Sequence, residues 1–82
     1  MAGVLFFLND FVLLHLGFTA LELGEVQEAQ SAARELLEKH PDHGRFHAQA
    51  LKLLGRTART TGDYDEAGSY FRQSIEETLE KA

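Results

Sequence analysis

The sequence predicts an all-α protein of four helices arranged as two antiparallel hairpins. Apolar residues recur at intervals of three and four along most of the chain, which is the period of a helix with one buried face. Glycine and proline interrupt this pattern at Gly24, Pro41 and Gly62, where helices are expected to end. An internal repeat with a register of 38 residues then indicates that one hairpin unit occurs twice.

The first hairpin joins a long apolar helix to a shorter amphipathic one. The first helix is predicted over about residues 4–23, and Gly24 supplies the left-handed conformation that ends many helices. The second helix is predicted over about residues 25–39. It ends there because Pro41 lacks the backbone amide that another helical turn requires.

The second hairpin is predicted over the remainder of the chain. Its first helix begins at about residue 43 or 44 and ends at about residue 61, before Gly62. The last helix begins behind Asp63, whose carboxylate can accept the free amides of a first turn, and continues to the chain end.

Six identical residue pairs share the repeat register. They are Leu13 with Leu51, Leu16 with Leu54, Gly17 with Gly55, Ala20 with Ala58, Gly24 with Gly62, and Ala29 with Ala67. The leucines are predicted to be buried within each hairpin, and the glycine that follows them allows a partner helix to approach closely. The core prediction for the second hairpin is Leu54, Tyr64, Ala67 and Phe71.

The second copy resembles a tetratricopeptide repeat. A leucine–glycine pair, a Gly-Asp-Tyr turn, an alanine and an aromatic residue follow one another at Leu54, Gly55, Gly62, Asp63, Tyr64, Ala67 and Phe71. The first copy is similar but looser, since Val26 stands where tyrosine is usual and Ala33 where the aromatic is usual. The resemblance implies a right-handed α-solenoid in which the first helix of each hairpin lines a concave groove. The residue sequence of the second copy is most similar to repeats of large bacterial regulators.

The predicted organisation has four segments. An apolar extension of the first helix covers residues 1–9, repeat one covers residues 10–42, an inter-repeat insertion covers residues 43–47 and repeat two covers residues 48–82. The resemblance therefore leaves only the amino-terminal extension and the insertion outside the two repeats.

The third predicted helix carries positive charge in an acidic chain. Eight Lys and Arg against thirteen Asp and Glu give a net charge of −5, which argues against nucleic acid as a partner. One face of this helix nevertheless carries what we call the cationic stripe, made of Gln49, Lys52, Arg56 and Arg59. The stripe is either a solvated helix face or a site for an acidic protein or peptide partner, including a terminal carboxylate.

The equivalent face of the first helix is apolar. We call it the apolar seam, and its members follow a heptad-like spacing at Val4, Phe7, Phe11, Leu14, Phe18 and Leu21. Because Leu13, Leu16 and Ala20 give the same helix a second apolar face, we expect a second chain to cover the seam in a homodimer. The alternative is that residues 1–8 bend back over it as a lid.

The sequence contains no recognisable catalytic constellation or cofactor motif. It has no nucleophile elbow and no glycine-rich phosphate loop. His40, His43 and His47 cluster near the insertion, but nothing supplies a further metal ligand, so we interpret them as solvated loop residues. The prediction is a non-catalytic protein-binding scaffold that also self-associates. The alternatives are a dimerisation module without groove function, or a fragment of a larger regulatory protein.

The apolar amino-terminal segment is not predicted to cross a membrane. Asn9 and Asp10 would lie in the hydrocarbon, and no Lys or Arg flanks the segment. A signal peptide also fits poorly, because the basic region that begins such peptides is missing. The chain has no cysteine, which fits a reducing compartment, and we expect a cytoplasmic protein.

Overall fold

A computed structural model contains the four α-helices and the two antiparallel hairpins that the sequence predicts. It describes residues 2–42 and 44–81, with side chains described for residues 9–42 and 44–79. The helices are α1 (Ala2–Glu22), α2 (Val26–Lys39), α3 (Arg45–Thr60) and α4 (Tyr64–Lys81). The predicted all-α fold class is confirmed, and residues 45–47 of the predicted insertion form the first turn of α3.

The two hairpin turns share one hydrogen-bond pattern. Gly24 and Gly62 both have a positive φ, +83° and +90°, which a residue with a Cβ rarely adopts. In each turn the amide after the glycine donates to a carbonyl five residues earlier at 2.8 Å, from Glu25 to Ala20 and from Asp63 to Ala58. Positions that are 38 residues apart in the two turns therefore share their backbone geometry.

The core lies where α3 packs into the hairpin formed by α1 and α2. Its buried residues come from all three helices and are Ala20, Ala29, Ala33, Leu36, Phe46, Ala50, Leu53 and Leu54. At Gly17 a Cβ would lie 2.5 Å from Cδ2 of Leu53, and at Gly55 a Cβ would lie 2.8 Å from the ring of Phe71. The predicted role of these two glycines in close helix approach is thus confirmed.

Two of the core predictions are wrong. Leu16 is 59 % exposed and Tyr64 is 70 % exposed, whereas Leu54 and Ala67 are buried as predicted and Phe71 is half-buried. Leu16 lies on a side of α1 that no described element covers. Tyr64 is the first residue of α4, and because helical side chains lean toward the N-terminus of their helix, no further turn of α4 lies beneath it to cover it.

The helix α1 has an apolar surface that reaches the solvent. Phe11 and Val12 are exposed in addition to Leu16, and so is Leu23, which directly follows the helix. Within the described part of the chain, none of the helices combines the length and the apolar character that crossing a bilayer requires.

The close approach at Gly17 predicts opposite effects for two glycine-to-alanine substitutions. Gly17→Ala should lower the free energy of unfolding, because overpacking against the buried Leu53 costs about 1–3 kcal/mol. Most of this range exceeds the gain of about 1 kcal/mol that alanine has over glycine inside a helix, so the net effect should be a loss of stability. At Gly68 in α4 a Cβ would meet nothing within 4 Å, so Gly68→Ala should show the gain alone.

Urea denaturation of the two variants measures both effects. Equal stabilisation by the two substitutions would contradict the tight packing of α1 against α3 at Gly17.

Candidate protein-binding surface

The cationic stripe occupies the solvent-facing side of α3. Most of the remaining circumference of this helix is buried, from Phe46 to Ala58. Lys52 and Arg59 are exposed, and Gln49 and Arg56 are half-buried. The fold therefore brings the four predicted partner-binding side chains to one accessible face, while their binding role stays a prediction.

Two arginines of the cationic stripe lie over aromatic rings of neighbouring helices. The guanidinium carbon of Arg56 is 5.5 Å from the ring centroid of Phe18 in α1, and that of Arg59 is 5.8 Å from Phe71 in α4. Such cation–π contacts contribute about 0.5–1 kcal/mol at exposed sites. They restrict the planar guanidinium groups and leave their N–H edges available to an acceptor.

The positive charges of the stripe form no ion pair with a described carboxylate. Among the described side chains, no carboxylate lies within ion-pair distance of Lys52, Arg56 or Arg59. The cation that does form ion pairs is Lys39, whose Nζ lies 3.7 Å from Asp10 and 3.8 Å from Glu35. The stripe is therefore a local positive region on a protein of negative net charge.

A groove continues from the stripe onto α4. This rear groove has a volume of about 450 Å³ and is open to solvent. The rear groove is lined by Gln49, Lys52, Phe71, Ser74, Ile75, Thr78 and Leu79.

A second groove lies at the opposite end of the helix stack, between α1 and α2. This front groove has a volume of about 570 Å³, and its apolar floor includes Leu13, Leu16 and Leu23. Glu25, Glu28, Glu35 and polar side chains complete its lining. The resemblance implied a groove beside Gln49 and Lys52, which line the rear groove, whereas the front groove was not predicted.

The apolar seam is partly covered by the chain itself. Val4 and Phe7 lie outside the residues whose side chains are described. Phe11 is 41 % exposed and meets the ring of Phe46 edge-on, with centroids 5.1 Å apart. The remaining described seam residues are half-buried, and they are Leu14, Phe18 and Leu21. They pack against the core cluster, to which α3 contributes. Pairing of two chains through the seam stays a prediction.

The interpretation of His40 and His47 as solvated loop residues is wrong. His40 Nε2 lies 2.7 Å from Oδ2 of Asp10, and His47 Nδ1 lies 2.7 Å from Oε1 of Glu77. Both carboxylates are buried, and a buried carboxylate needs a partner. Each pair joins the two helices of one hairpin at the end opposite its glycine turn.

The described residues form no metal centre. No group of three or more His, Cys, Asp or Glu side chains among them could hold a metal ion. His43, the third histidine of the predicted cluster, lies outside the described residues. The described histidines of the cluster instead have identified carboxylate partners.

Two stacked helical hairpins with one charged, accessible helix face define a helical-repeat module. A family model described as tetratricopeptide repeat matches residues 16–78, and the chain belongs to this family. Repeats of this family generally mediate protein–protein interactions and are typically non-catalytic. No curated protein and no solved structure matches the chain.

The pair of Asp10 and His40 predicts a stability effect far from the stripe. Asp10→Ala removes the acceptor for His40 and Lys39, and unsatisfied partners of this kind cost about 1–3 kcal/mol. Glu38→Ala is the matched control, because Glu38 is an exposed carboxylate on the same hairpin. Thermal unfolding should show a clear loss for Asp10→Ala only. Equal melting temperatures for the two variants would contradict a structural role of the pair.

Proposed function

We propose that the chain is a non-catalytic interaction module that binds an acidic segment of a protein partner on the cationic stripe. The observation that carries this proposal is that no described carboxylate lies within ion-pair distance of Lys52, Arg56 or Arg59. Guanidinium groups bind carboxylates through two parallel hydrogen bonds, which gives both strength and direction. A run of acidic residues or a terminal carboxylate has the matching chemistry.

The surroundings of the stripe support an extended ligand. Arg56 is held over Phe18, so less side-chain freedom is lost when it binds. Lys52 borders the rear groove, where Ile75 and Leu79 offer apolar contacts beside the charge. We therefore propose a ligand segment in which acidic and aliphatic side chains alternate.

A second candidate function is self-association through α1 as a homodimer. The exposure of Phe11 supports it, because an aromatic side chain on a helix surface gains from coverage by another chain. This function is compatible with binding at the stripe, which lies on α3.

Titration with peptides tests the stripe. An acidic peptide should shift the amide resonances of α3 more than a neutral or basic peptide of equal length, and the affinity should fall with added salt. Arg56→Ala with Arg59→Ala should weaken binding by about tenfold or more, because hydrogen bonds to charged groups contribute about 1.5–3 kcal/mol each. Arg72→Ala is the control, since Arg72 is an exposed arginine on α4.

The stripe is only a solvated face if acidic and basic peptides shift the α3 resonances equally. Self-association would then be the remaining proposed function of the module.

Replacement of Phe11 tests the apolar seam. Phe11→Glu should convert a seam homodimer into folded monomers, because a carboxylate in an apolar interface has no partner. Analytical ultracentrifugation measures the mass, and circular dichroism checks that the helices persist. A wild-type chain that stays monomeric at high concentration would refute pairing through the seam.

A further inference from the structure

Positions that are buried in the second repeat are exposed in the first. Ala50 and Leu54 of α3 are 0 % and 4 % exposed, and both belong to the core cluster shared with α1 and α2. Their counterparts in the repeat register are Val12 and Leu16, which are 55 % and 59 % exposed. The front side of α1 therefore carries the contact positions of α3, but no described element covers them.

The rear side of the second hairpin shows the converse relation. Leu37 of α2 packs against the core cluster, whereas its counterpart Ile75 of α4 is exposed. Leu79, one helical turn further along α4, is also exposed. The rear groove thus lies on the side of the second hairpin that is equivalent to the side of the first hairpin against which α3 packs.

The two grooves carry opposite charges. Glu25, Glu28 and Glu35 line the front groove, and no Lys or Arg is among its described lining residues. Lys52 lines the rear groove, which has no carboxylate among its described lining residues. A hydrogen bond that the protonated Glu25 carboxyl donates to Glu28, together with the repulsion between the two carboxylates, raises the pKa of Glu25, so a cation placed there would relieve the repulsion.

We propose that a second copy of this chain docks its front groove onto the rear groove, so that copies associate head to tail. The contact repeats, between two chains, the packing of α3 against the first hairpin. Apolar residues at Val12 and Leu16 meet Ile75 and Leu79, and the acidic rim faces Lys52. The inference rests on the proposed function in one respect, because Lys52 belongs to both surfaces.

A head-to-tail contact has a different stoichiometry from a seam homodimer. The contact uses two different surfaces, so each assembly keeps a free front groove and a free rear groove. Its average mass should therefore grow with protein concentration beyond that of a dimer. Pairing through the seam uses the same surface twice and stops at two chains.

Sedimentation velocity with two complementary variants tests the proposal. Leu16→Glu blocks the front groove and Ile75→Glu blocks the rear groove, and both side chains are more than half exposed, so the fold should persist. Each variant alone should lose the growth of mass with concentration, because one of its two grooves is blocked. Their equimolar mixture should form a one-to-one dimer that does not grow, because one intact front groove meets one intact rear groove. Val12→Glu and Leu79→Glu provide a second pair, with circular dichroism as the check on folding.

Several results would overturn head-to-tail association. These are a wild-type chain that is monomeric at high concentration, a mixture without the mixed dimer, and growth that Phe11→Glu abolishes but Leu16→Glu does not. Peptide titration of the Leu16→Glu variant separates this proposal from the proposed function. Mixed dimers without acidic-peptide binding would refute only the stripe, and peptide binding without mixed dimers would refute only the docking.

Discussion

The close approach of α1 and α3 at Gly17 is the constraint on which the rest of the structure depends. Because Gly17 has no Cβ, Leu53 can lie directly against α1 and become fully buried. This contact draws α3 deep into the first hairpin. Only one side of α3 then remains accessible, and that side carries Lys52 and Arg59.

Each hairpin is closed at both ends by a different kind of interaction. A glycine turn with a positive φ closes one end, and a histidine–carboxylate pair joins the helices at the other. The pairs also account for the buried charges Asp10 and Glu77, which would be costly in an apolar core without partners. Polar contacts therefore hold the hairpin ends while apolar contacts hold the middle.

Local patterns allowed the sequence to predict the helices, the turns and the side of α3 that carries the cationic stripe. Periodicity shows which residues share a face, but it does not show which neighbour covers that face. Leu16 and Leu54 are identical and equivalent, yet only Leu54 is buried, because the first hairpin packs against α3 whereas no described element covers this side of α1. Local patterns could not predict the carboxylate partners of His40 and His47 either, since each partner lies 30 residues away along the chain.

The shared geometry of the two turns also bears on how such a chain can change in length. Each hairpin begins and ends in the same backbone geometry, so duplication of one 38-residue unit would insert a hairpin that already fits its neighbours. The new unit would already contain the glycine that its turn requires and the glycine that allows close helix contact. Recombination within the gene would therefore lengthen the array in one step and still give a chain that folds.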